Sequence, residues 1–225
     1  MSNPLNVTVL CEGQTEQKFI KEVLAPYLWS KEIYMTPIVI SKKGEKGGDV
    51  KFQRVQNDIA ASLRQPNVAI VTTFVDYYGL KEWPGKDTVP HNSTPPQIAE
   101  RLNNAAKEII CRTYGDLNPQ NRFIPFMAVH EFEALLFSDS QVLGEALNID
   151  RTDIDQVLSA CGSPEHINNS PQTAPAKRLL SWTNQTYKKT TDGIAIAKEI
   201  GIDRMREKCP LFHAWLLHIE ELQVQ

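Results

Sequence analysis

The chain is short of the features by which many functions announce themselves. Its four cysteines, Cys11, Cys111, Cys161 and Cys209, stand far apart and form no CxxC pair, so a zinc site is not expected. Scattered lone cysteines suit a reducing compartment, where they act as small apolar residues. The amino-terminal residues carry no basic segment followed by an apolar core, and no apolar run is long enough to span a bilayer. A cytoplasmic protein is expected on those grounds. No basic excess exists either: 24 Lys and Arg against 27 Asp and Glu leave a formal charge of -3. Any basic surface for a polyanion must therefore be local. GxSxG, HExxH, P-loop and dinucleotide fingerprints are all missing, which leaves serine or cysteine nucleophile chemistry without support.

What is present is ordinary in bulk and unusual in detail. The 225 residues, 41% hydrophobic and 23% charged, suffice for one α/β domain with a sizeable core. Three apolar runs each end in an acidic signature. The first is Asn6–Cys11, followed by Glu12-Gly13-Gln14-Thr15-Glu16. The second is Val68–Val75, followed by Asp76-Tyr77-Tyr78-Gly79. The third is Arg122–Val129, followed by His130-Glu131-Phe132-Glu133. Continuous apolar runs are the mark of buried parallel strands. In open parallel sheets, ligands bind beyond the carboxyl ends of the strands. Glu12, Asp76, His130, Glu131 and Glu133 are thus expected at one edge. Carboxylates crowded together repel, and a hard divalent cation resolves that repulsion.

Periodicity places a short strand at Pro37–Ile40 and marks Pro125 as an edge or bulge position in the last strand. Helices are expected at about 15–28, 50–63 and 96–113, the first capped by Thr15. Between strand and helix, residues 78–96 read as a long irregular loop. From His130 on the pattern is helical, with segments near 131–137, 140–147, 153–160, 174–186, 191–200 and 211–222. The order β-α-β-α-β-α-β, then helices, predicts a mostly parallel central sheet of about four strands flanked by helices. The expected division is an α/β core over 1–139 and a helical region over 140–225 packed on it.

Several residues keep two readings. Glu12 is either a ligand or a solvated anion at a helix start. Glu16 either ligates or acts as the acidic partner in a first-turn cap. Asp76 either holds a metal or forms a turn ahead of Gly79. One of Tyr77 and Tyr78 suits wall packing, and the other can stack on a base. Glu131 and Glu133 cannot point the same way on a helix, so one of them, unspecified, would join a metal site. His130 suits phosphate contact or proton transfer. Lys42, Lys43 and Lys46 in a glycine-rich loop, and Lys177, Lys188 and Lys189 further on, are either phosphate contacts or solvated charge.

Together these residues resemble a known group. Glu12-Gly13-Gln14-Thr15-Glu16 after a first strand resembles the opening of the Toprim fold of topoisomerases, primases and OLD-type nucleases. Asp76 matches the first aspartate of that fold's DxD motif. With His130–Phe137, Pro175-Ala176-Lys177-Arg178 and Cys209-Pro210-Leu211-Phe212, the pattern resembles a Toprim-like bacterial family of unknown function, domain-of-unknown-function family 4276. The resemblance runs from the first strand to Trp215. It implies a Toprim-like sheet, magnesium or manganese, and phosphodiester hydrolysis of DNA or RNA. Glu12, Asp76, Glu16, Glu131 and Glu133 would be ligands, and a separate ABC- or AAA-type ATPase would be a partner in anti-phage defence. Homo-oligomers are also compatible with it. One departure stands out: Tyr78 occupies the second DxD position. That leaves an alternative, a non-catalytic subunit that binds nucleic acid or nucleotide. A nucleotidyl- or phosphotransferase ranks last, for want of a phosphate loop.

Overall fold

The structure, a computed structural model, describes residues 4–40, 50–129, 131–167 and 172–223. The loop lysines Lys42, Lys43 and Lys46, and His130, lie outside the described residues. Strands β1 (Leu5–Cys11), β2 (Ile33–Val39), β3 (Ile70–Asp76), β4 (Phe123–Ile124) and β5 (Met127–Ala128) form one sheet. Its order is β2-β1-β3-β4, with β5 continuing beside β3, and every pairing is parallel. The fold is therefore α/β, with a mostly parallel central sheet flanked by helices and a helical carboxyl-terminal part.

The helices are α1 (Gln14–Phe19), α2 (Ala25–Trp29), α3 (Phe52–Leu63), α4 (Pro95–Thr113), α5 (Pro119–Arg122), α6 (Ser140–Leu147), α7 (Arg151–Cys161), α8 (Pro175–Trp182), α9 (Ile194–Ile200), α10 (Ile202–Lys208) and α11 (Pro210–Gln223). A π-helical turn, Ile20–Leu24, joins α1 to α2, and another, Lys189–Gly193, leads into α9. Phe132–Ser138 forms 3-10 turns instead of the expected α-helix.

Alternation along the strands divides the core in two. Val7, Val9, Cys11 and Phe74 join α1, α2 and the carboxyl-terminal helices on one face. Leu10, Val71 and Val75 join α3 and α4 on the other. Side chains of successive strand residues point to opposite faces, and here both faces are apolar because both are covered. The first cluster runs across residue 139 without a break. Phe19, Phe74 and Phe126 from the amino-terminal part meet Phe212 and Trp215 of α11, and Trp215 stacks on Phe126 at 4.5 Å. Trp215 Nε1 also donates to Thr72 Oγ1 at 2.9 Å, so this buried indole is satisfied.

Three boundaries differ from expectation for local reasons. β2 begins at Ile33 rather than Pro37, because an edge strand exposes alternate residues (Tyr34, Thr36, Ile38) and so lacks a continuous apolar signature. The last strand is broken at Pro125 and Phe126. There the Thr73 hydroxyl replaces the missing ladder, accepting from Phe126 N and donating to Phe126 O, each at 2.9 Å. Gly13 rather than Thr15 holds the α1 cap position. α10, seven residues between Gly201 and Cys209, is too short to show a helical period.

Candidate functional site

Glu12 leaves β1 and Asp76 ends β3, on adjacent parallel strands whose register pairs Cys11 with Phe74. That pairing brings the two carboxylates to one carboxyl edge. Asp76 N donates to Glu12 Oε2 at 3.3 Å, so the strand end itself orients Glu12. Asp76 Oδ1 in turn accepts from Phe132 N at 3.1 Å, which ties the Phe132–Ser138 turns to β3. Glu16 accepts from Gly13 N at 2.9 Å. Its capping contact is thus present, and its carboxylate still faces the cluster.

The 3-10 geometry decides where the other two glutamates go. Glu131 Oε2 accepts from Ala176 N at 3.0 Å, in the first turn of α8. Glu133 is wholly buried. Lys189 meets it with Nζ 2.9 Å from Oε1 and 3.0 Å from Oε2, and lies 3.9 Å from Glu131 Oε1. Lys189 therefore sits among the carboxylates, whereas Lys177 and Lys188 are exposed. The sequence offers Lys188 and Lys189 side by side as phosphate contacts or solvated charge. No local signal separates these neighbours; the direction of the Lys189–Gly193 turn does. Gly193 belongs to that turn because a Cβ there would stand 2.7 Å from Tyr187 Oη.

The electrostatics mark the cluster as strained by like charge. Burial pushes the Asp76 carboxyl well above the ordinary range; Glu16, Glu12 and Glu133 push it further, and Lys189 opposes them. Burial likewise brings Glu133 up to about 7, with Lys189 working against the rise and Glu131 adding to it. Burial works against the Lys189 ammonium, but Glu133, Glu131 and Asp76 outweigh it, so Lys189 is raised and stays cationic. Tyr187, pushed up by burial and then by Glu133, places a buried hydroxyl beside this pair. Burial and then Glu16 raise the Cys11 thiol, which is inert as a nucleophile in that state.

An all-oxygen donor set of acidic side chains suits a hard divalent cation. Asp76 is raised by burial first and by its acidic neighbours second, and a cation would relieve the second of these. Among the described residues no three Asp, Glu, His or Cys side chains converge closely enough to enclose an ion. Lys189 sets one positive charge against the carboxylates, through Glu133 and Glu131. The donor chemistry fits a cation, with Glu12 and Asp76 as the pair best placed to hold it, since Glu131 is spent on α8 and Glu133 on Lys189.

Three comparisons with known proteins bear on the chain. No curated protein matches it. A solved structure, the C-terminal region of the Xanthomonas campestris pv. campestris OLD protein, is similar at 18% identity over 97% of this chain and 95% of that one, with a TM-score of 0.42. A family profile, described as Domain of unknown function (DUF4276), matches residues 11–220, nearly the full length, and the chain belongs to that family.

Proposed function

We propose that the protein is a metal-dependent nuclease of the Toprim-like type. The observation that carries this reading is the meeting of Glu12 and Asp76 at the carboxyl ends of two adjacent parallel strands, where burial, and then the acidic neighbours, raise Asp76. Glu12 and Asp76 would hold magnesium or manganese, with Glu16 beside them. The bound ion supplies Lewis-acid polarisation of a phosphate oxygen and an activated water. The chain's own groups do the rest. Phe132 N–H fixes the Asp76 carboxylate, and Asp76 N–H fixes Glu12. Lys189, half-buried at the same edge, offers a cation to the negative phosphodiester. An ATPase encoded separately, and a role in anti-phage defence, follow from the Toprim-like resemblance and belong to this proposal.

The test is incubation of the purified chain with labelled single- and double-stranded DNA and RNA, in magnesium, manganese or chelator. Glu12→Gln keeps an oxygen for Asp76 N–H but removes the charge. Its cleavage rate should fall at least ~100-fold, because a metal ion contributes several kcal/mol to such a step. Undiminished cleavage by that variant removes Glu12 from the mechanism. One observation favours a second reading, a binding subunit without catalysis: Tyr78 stands where a second aspartate would give another ligand. Nucleic-acid binding with no metal-dependent cleavage, in the presence of a co-purified ATPase, would select it.

A further inference from the structure

The carboxylate cluster already contains a cation, and the manner of its binding is unusual for a structural ion pair. Glu133 is 0% exposed, while the Lys189 side chain is 41% exposed. The lysine reaches into the cluster from the solvent side. A buried pair that serves stability normally has its remaining lone pairs and protons satisfied. This one does not: Glu133 Oε1 has only its ion contact with Lys189, and lacks a hydrogen bond of good geometry. Tyr187 Oη, in a residue 5% exposed, faces the Glu133 carboxylate and likewise lacks a hydrogen bond of good geometry. Two buried polar atoms beside each other thus remain underused, next to a flexible ammonium that can return to water.

The backbone under Lys189 is held firmly. Lys18 Nζ donates to Thr190 O at 3.3 Å, and Lys188 N donates to Asp192 Oδ2 at 2.8 Å. Gly193 lets the turn close on Tyr187 and Phe132. The movable part is the lysine side chain alone, whose long apolar stem can swing its ammonium outward without unpacking its surroundings.

We propose that Lys189 is an exchangeable internal counter-ion, which pairs with Glu133 when no divalent cation is present and withdraws from it when one binds. This rests on the metal-binding half of the function proposed above. An ammonium and a divalent ion at one cluster repel each other, so each weakens the other's hold by the same factor. Glu133 would pass from the lysine to the entering cation and complete the ligand set that the described residues do not form without one.

The experiment is calorimetric titration of the full chain with magnesium and with manganese, comparing wild type, Lys189→Met and Lys189→Arg. Lys189→Met should bind at least about tenfold more tightly, the effect of removing a like charge a few ångströms away in a partly buried site. Lys189→Arg keeps the charge and should stay near wild type. In parallel, acylation of Lys189 in the wild type, followed by peptide mass spectrometry, should speed up when magnesium is added. This second measurement carries the test if Lys189→Met does not fold. Equal affinity of wild type and Lys189→Met, or unchanged acylation, overturns the counter-ion proposal alone. Failure of every form to bind either metal overturns it together with the metal-dependent reading of the site.

Discussion

Glu16, Asp76, Glu131 and Glu165 are buried carboxylates that each accept from a backbone N–H, and Glu165 shows what that means for a single residue. It lies in the loop before α8 and accepts from Leu211 N at 2.9 Å and Phe212 N at 3.0 Å, in the first turn of α11. Two such bonds favour the anion, as does the helix dipole, yet burial dominates and brings Glu165 up to about 7 from an ordinary 4.5. The sign of the consequence is fixed. Between those values the folded state holds a proton that the unfolded state has lost, so stability is fullest below about pH 4.5 and declines as pH rises to about 7. The decline for this one group is about 3 kcal/mol. Glu165→Gln, which cannot ionise, should unfold in urea with a flatter dependence on pH, and the wild type's advantage over it should shrink from pH 5 to pH 7.5. Parallel stability curves for the two proteins would contradict this assignment. At this scale the sequence was informative for Glu12 and Asp76, whose positions follow from the ends of two apolar runs. It was silent on Glu165, because nothing near it names the helix, 46 residues on, that it caps.

Elements were legible in proportion to how much of their surroundings their own residues encode. β1 and β3 are buried on both sides, so their apolar runs give them away. β2 is an edge strand that exposes alternate residues, Tyr34, Thr36 and Ile38, and only its second half read as strand. The break between β4 and β5 was signalled by Pro125, but its repair was not. Proline removes a ladder donor and displaces the chain, and the Thr73 hydroxyl then serves both polar groups of Phe126. Thr73 is 1% exposed, so water does not substitute. Thr73→Val has nearly the same shape and leaves a buried N–H and a buried C=O unpaired. The expected loss is about 2–5 kcal/mol, given roughly 1–3 kcal/mol for each stranded group. Denaturant unfolding measures it directly. Thr73→Ser, which keeps the hydroxyl, should recover most of the difference; if Ser and Val variants are equally destabilised, the methyl packing rather than the hydroxyl matters here.

On the scale of the whole molecule, the site is assembled from both ends of the chain. Glu12 and Asp76 come from the sheet, whereas Lys189 and the α8 N–H that holds Glu131 come from beyond residue 139. This is why the carboxylate edge was foreseeable and its cation was not: strand ends follow from local pattern, but a pairing across 56 residues depends on how the carboxyl-terminal helices pack. The same packing bears on folding. The face formed by Phe19, Phe74 and Phe126 is covered by Phe212 and Trp215, with no intervening polar layer. Removing residues 140–225 would bare that face and also Thr72, the partner of the Trp215 indole. An apolar patch of this kind drives association rather than folding. A fragment of residues 1–139 should therefore lack a cooperative thermal transition and aggregate, while the full chain unfolds in one step. Trp215→Ala in the full chain is the graded version of the same cut. It should lower stability by about 3–5 kcal/mol, the usual loss for truncating a large buried aromatic, and leave the single transition intact. A soluble 1–139 fragment with its own sharp melting transition would show instead that the sheet half is an independent folding unit and that α11 merely covers it.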